Sequence, residues 1–187
     1  MGLLLQAALV ANRRLDLHRR IGWVLAGVAV AVVVTSASIT SGVAPAMAKG
    51  GFDAPTVAAL APRIFWGNIA AVATFGGFVA AAVWLRRHAQ AHKRLMLLAS
   101  ISLIGPALPR IGRWPIFPPE VNAGFFFIAV GASFLLVSAV AVYDFATRGR
   151  MHRATLVGGA LLIAAKLVAA GVIASSDLGR SMVPGLD

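Results

Sequence analysis

From Ile21 to Val43 the chain runs twenty-three residues without a charged side chain. About 20 apolar residues in a helix cross about 30 Å of hydrocarbon at a rise of about 1.5 Å each. Backbone polar groups in such a medium must bond one another, so a run of this length is read as a helix. Comparable runs recur at Ile64–Leu85, Val121–Tyr143 and Ala154–Ala174. A fifth stretch, Leu95–Leu108, is shorter and broken by Gly105-Pro106 and Pro109. It reads as a kinked or shortened span, because the basic clusters on its two sides do not otherwise alternate. The expected fold class is all-α: a single transmembrane domain with spans near 21–43, 64–85, 93–109, 121–143 and 154–174. A short apolar helix over Met1–Ala11, half a membrane in length, precedes them as an interfacial or half-inserted segment.

Composition agrees with a bundle in lipid. Hydrophobic residues make up 59% and charged residues 12% of the chain, against roughly 45–50% and 25% in soluble domains. The net charge of +11 would suit nucleic acid only if the cations lined one polar face. They cluster between apolar runs instead, so no nucleic-acid partner is expected. Membrane lipids and other membrane protein subunits are the expected partners. There is no cysteine, which excludes disulfides, thiolate metal sites and iron–sulfur clusters.

Lys and Arg give the orientation. One set of loops and span ends holds eleven: Arg13, Arg14, Arg19, Arg20, Arg86, Arg87, Lys93, Arg94, Arg148, Arg150 and Arg153. The other holds five: Lys49, Arg63, Arg110, Arg113 and Arg180. The richer side is cytoplasmic by the positive-inside rule, which puts the C-terminus outside an inner membrane. Trp23 and Trp84 then fall at the inner interface with Tyr143, and Trp66 and Trp114 at the outer one, as an aromatic belt requires. Arg19-Arg20, the following apolar run and Ala46-Met47-Ala48 imitate a cleaved signal peptide. The apolar core is longer than the 7–15 residues of an h-region, and more spans follow.

Three spans that leave the cytoplasm open alike, at His18-Arg19-Arg20, His92-Lys93-Arg94 and His152-Arg153. Cations beside lipid phosphate account for this; an ancestral duplication of a helical hairpin is the alternative. Leu17-His18-Arg19-Arg20-Ile21-Gly22-Trp23, the run His92-Lys93-Arg94-Leu95-Met96-Leu97-Leu98-Ala99 and Tyr143–His152 resemble a family of uncharacterised bacterial multi-pass inner-membrane proteins. His-Lys-Arg-Leu-Met also resembles, more loosely, small membrane proteins of haem–copper oxidase maturation. The first resemblance covers the chain from Asn12 onward and implies a polytopic bundle, with no activity to carry over. In that family another histidine-bearing segment and a longer helix precede His-Arg-Arg, whereas this chain opens at Met1-Gly2-Leu3, inside that helix.

All four histidines, His18, His88, His92 and His152, map to the cytoplasmic side. His88 and His92 are four apart and share a helix face, a spacing that can chelate a metal. Two of the four could ligate haem b, with Arg86, Arg87 or Arg94 near the propionates. Against this, histidine beside arginine is ordinary interfacial chemistry, and no carboxylate obviously orients an imidazole.

Lys166 lies about twelve residues into the last span, where an ionisable group is costly unless paired or able to reach water. Snorkelling outward brings it near the depth of Asn68 and of the polar outer half of the first span, Thr35, Ser36, Ser38, Thr40 and Ser41. An outer polar pocket of Lys166, Asn68, Ser36, Ser38 and Thr40 for a quinone headgroup or lipid phosphate is the expectation; a lysine that only snorkels is the plainer account. Gly76-Gly77, Gly124 with Gly131, and Gly158-Gly159 supply surfaces on which helix backbones approach closely. No nucleotide loop, zinc-protease motif or hydrolase elbow is present, and the six acidic residues lie in or next to loops rather than inside spans. The leading function is a non-catalytic membrane subunit or scaffold, and the alternative is a haem- or quinone-binding redox protein. Single cysteines placed for labelling from outside intact cells check the map: Gly50→Cys should react and Ala89→Cys should not, and the reverse pattern would invert it.

Overall fold

The computed structural model of the protein describes residues 2–111 and 121–186. Among the described residues nine α-helices follow one another: α1 (Gly2–Ala11), α2 (Leu15–Thr40), α3 (Val43–Lys49), α4 (Ala54–Trp84), α5 (Ala89–Ser102), α6 (Ile104–Ile111), α7 (Val121–Arg148), α8 (Arg153–Leu167) and α9 (Asp177–Ser181). A π-helical stretch, Val168–Val172, and a 3₁₀ turn, Ile173–Ser175, carry α8 onward. Among the described residues there is no strand. Among the described residues three helices are long and apolar enough to cross a membrane: Leu15–Thr40, Ala54–Trp84 and Arg153–Ser175. The all-helical expectation therefore holds.

Several boundaries differ from those read in the sequence. The first apolar helix stops at Thr40, before Gly42, and Val43 opens α3 instead of closing the run. Pro45 lies in the first turn of α3, where its missing N–H has no intrahelical role. The stretch before Arg63 is not a loop: α4 starts at Ala54, with Pro55 in its first turn, because proline is pre-set for that position. Pro62 lies inside α4 and removes one internal hydrogen bond. At fourteen residues α5 is about 21 Å long and falls short of a membrane by itself. Leu103 interrupts it, and α6 carries Gly105 and Pro106. α7 continues five residues past Tyr143, to Arg148. Trp114 lies outside the described residues.

α4 is the centre of the bundle, touching α2, α3, α5, α6 and α8. The main core joins Phe78 and Ala82 of α4, Leu95, Leu98 and Ile101 of α5, Val137 and Val140 of α7, and Leu162 of α8. Three glycines on the contact faces set its tightness. A Cβ at Gly158 would lie 2.6 Å from Leu98 Cδ1, one at Gly159 3.0 Å from Val137 Cγ1, and one at Gly76 3.3 Å from Val33 Cγ2. Gly77 and Gly131 face nothing within 4 Å among the described residues. α1 runs antiparallel to α2, with Gly2 against Leu25 and Gln6 against His18 and Gly22.

The opposite end is closed by the C-terminal tail. Val183 packs with Ala44, Met47, Val57 and Ala61, and Trp66 Nε1 donates to the Gly179 carbonyl at 2.9 Å. Ser176 caps α9 by accepting from Gly179 N. A Cβ at Gly179 would fall 1.9 Å from the Ile173 carbonyl oxygen, so no side chain fits there without moving backbone. Gly179→Ala should therefore loosen the tail, at a cost of about 1–3 kcal/mol. A lowered Tm together with a red-shifted Trp66 emission checks this, and unchanged values of both would show that the tail contributes nothing.

Candidate functional site

The densest polar arrangement sits where α5, α7 and α8 meet, at the end carrying the Arg86–Arg87 and Arg148–Arg153 turns. Asp144 has 0% of its surface exposed and Arg94 3%. Arg94 Nε donates to both carboxylate oxygens of Asp144, at 2.9 and 3.0 Å, and Nη2 forms a further close contact with Oδ1. The remaining guanidinium nitrogen, Nη1, donates to the Gln90 carbonyl at 2.9 Å and to Gln90 Oε1 at 2.7 Å. Asp144 also accepts from Thr155 Oγ1 and from His152 N at 3.2 Å. Every oxygen of the carboxylate and every nitrogen of the guanidinium is thereby bonded, which such a buried pair requires.

The Arg94 hydrogen bonds hold the Asp144 carboxyl well below the usual carboxylate range, against burial, which acts the other way. A depressed native value means stability present above the ordinary aspartate pKa near 4 and lost as pH falls toward the native value. Reading the six acids as lying in or next to loops did not bring out this pair, in which Asp144 belongs to α7, four residues before its end. Arg94, expected as free to meet a propionate, is already occupied. The available signal was an opposite charge near the ends of two neighbouring spans.

The four histidines are not brought to one point. His152 is the N-cap of α8, its Nδ1 accepting from Ala154 N at 3.0 Å. Burial, then the charges of Arg94 and Arg148, lower its pKa below the ordinary imidazole value. His92 Nδ1 lies 2.8 Å from the Ala82 carbonyl, left free at the last turn of α4, so this nitrogen carries the proton. His88 precedes α5 at its N-cap position, with no side-chain capping bond. His18 contacts His92 edge-to-face, with ring centroids 6.5 Å apart. Its Nδ1 also faces the Gln6 amide, which with the oxygen and nitrogen exchanged donates to the His18 carbonyl at 3.2 Å. Two histidines are thus helix caps. Among the described residues no group of three or more His, Asp or Glu side chains could hold a metal ion.

Lys166 does not join the polar residues expected to surround it. Its Nζ donates to Ser133 of α7 at 3.4 Å and lies 2.7 Å from where a Cβ of Gly105 would stand. Its neighbours are therefore α6 and α7, reached through the gap that Gly105 leaves. Asn68 is buried in α4. Thr35, Ser38 and Ser41 bond carbonyls of their own turn, Thr40 is buried, and Ser36 is half-buried. None of their hydrogen bonds reaches Lys166.

Concavities lie on the surface of these helices. A groove of about 550 Å³ between α5, α6 and α7 is lined by Leu97, Ser100, Ile104, Leu136 and Tyr143 among others. A second cavity, of about 770 Å³, is lined by Arg148, Arg150, Met151, His152 and Arg153. No family model matches the chain, and neither the curated proteins nor the solved structures give a match.

Breaking the buried pair should be costly and replacing it should not. Asp144→Ala or Arg94→Met alone should cost about 3–5 kcal/mol, and the double change to Asp144→Leu with Arg94→Met much less. Unfolding curves for both singles and the double check this; additive losses would show that the two residues act separately.

Proposed function

We propose that the chain is a non-catalytic subunit or scaffold of a bacterial inner membrane, crossing it five times with its basic turns in the cytoplasm and its C-terminus outside. The observation that carries this reading is α2. Only 6% of its apolar window is buried inside the fold, against 33% for α4 and 22% for the helix over Arg153–Ser175. Val24, Val28, Val30, Val34 and Ile39 are all exposed along it. Such a face is stable against lipid or against another apolar helix, and a subunit that packs on membrane neighbours needs one.

Five crossings are supported by α5 and α6 together, residues 89–111, about 34 Å of nearly continuous helix at about 1.5 Å per residue. The orientation is supported by the contacts that gather His18, His92, Arg94 and His152 at one end while Trp66 and Gly179 meet at the other. A photo-crosslinker at Val30 or Val34 should yield protein adducts in intact membranes, and one at Leu161 of α8 fewer. Adducts with lipid alone at all three positions would end the subunit reading.

A haem-binding redox protein is the second reading, favoured by the His18–His92 contact. Two imidazoles from α2 and α5 fit as a ligand pair, because His92 has its Nδ1 held by a carbonyl and keeps Nε2 for a metal. His88 and His152 take no part in it. Purified protein should then show a Soret band that His18→Ala and His92→Ala each abolish; its absence from the wild type would remove this reading.

A further inference from the structure

Arg148 to Arg153, the end of α7, the four residues after it and the start of α8, form a turn with an unusual electrostatic character. Arg148, Arg150 and Arg153 line one cavity, and among the described residues none of the three has a hydrogen-bond or ion-pair partner. The three are exposed around an open concavity, where like charges repel and an anion among them relieves the repulsion. The nearest carboxylate in the chain, Asp144, cannot serve, since Arg94, Thr155 and the His152 N–H occupy it.

The turn is also held in place. Gly149 adopts φ 66°, a conformation that favours glycine, and so lets the chain reverse in two residues. His152 N is tied to Asp144, and His152 Nδ1 caps α8. The arginines therefore leave a fixed backbone, which reduces the ordering cost of closing on a ligand. The lowered pKa of His152, caused in part by Arg94 and Arg148, reports the same positive field.

We infer that the Arg148–Arg153 turn is a phosphate-binding site, and that the phosphate is that of an anionic phospholipid headgroup. Guanidinium forks match phosphate oxygens two at a time, which ammonium groups do not. Met151, exposed between the arginines and lining the same cavity, gives the site an apolar wall suited to the glycerol and upper acyl chain rather than to a free ion. This inference rests on the membrane reading, since the turn must lie at headgroup level to meet such a lipid.

The test uses the full chain in nanodiscs of phosphatidylcholine with a minority of phosphatidylglycerol, followed by mild extraction and native mass spectrometry. Failure to enter nanodiscs would count against the membrane reading and is scored separately. Wild type should retain phosphatidylglycerol over phosphatidylcholine. Arg148→Gln, Arg150→Gln and Arg153→Gln combined should retain it roughly tenfold less, while Arg86→Gln with Arg87→Gln leaves retention unchanged. The three-lysine version, with equal charge and no forks, should fall between wild type and the glutamine variant. Arg150→Gln alone, at the exposed middle of the turn, keeps the test open should the triple variant not fold, and should weaken retention in the same direction. Inorganic phosphate at matched ionic strength should fail to displace the lipid; displacement would assign the site to free phosphate and overturn the lipid assignment. Equal loss in the Arg86/Arg87 variant, or full retention in the lysine or glutamine variants, would overturn the site.

Discussion

A charge that leaves water must take its partner with it, and Asp144 and Arg94 do so at the junction of three helices. The pair fixes α5 against α7, and the second carboxylate oxygen reaches Thr155 and His152, so α8 is fixed by the same group. The register that follows puts Leu95 and Leu98 against Val137, Val140 and Leu162, and lets Gly158 and Gly159 meet Leu98 and Val137 closely. In a hydrocarbon medium apolar side chains gain little by choosing each other over lipid. A bonded ion pair has no such alternative, so it decides which faces meet. The small residues then determine how near they come.

The same end of the bundle shows how its buried polar groups are used. Two histidines terminate helices, one accepting at the start of α8 and one donating at the end of α4, and these roles demand opposite protonation of the same ring nitrogen. Gln90 completes the coordination of Arg94. The exposed arginines of the α7–α8 turn stand outside this web. The division between satisfied interior groups and unsatisfied peripheral cations is what separates architecture from a binding surface here.

At the other end the devices are weaker and more local. Trp66 donates to a tail carbonyl, Val183 fills a small apolar cluster, and Gly185 lies against Pro45. Among the described residues no buried charge is involved at this end, which uses close backbone approach at Gly179. Lys166, between the two ends, donates to a serine and occupies the space beside a glycine.

The sequence by itself determined the helical class, since runs such as Ile21–Val43 and Ile64–Leu85 leave no other way to satisfy the backbone in an apolar medium. It also placed every histidine at one end, because position along a helix follows from counting residues. Direction around a helix axis does not follow from counting alone once every face is apolar. Nothing in the linear pattern said that Arg94 points at Asp144, that His92 turns to Ala82, or that Lys166 turns to Ser133. Only the packed structure decided those pairings, since each depends on two helices sharing a level and a face. Helix ends do not follow from the letters alone either: a proline in a first helical turn, as at Pro45 and Pro55, has no hydrogen bond to lose.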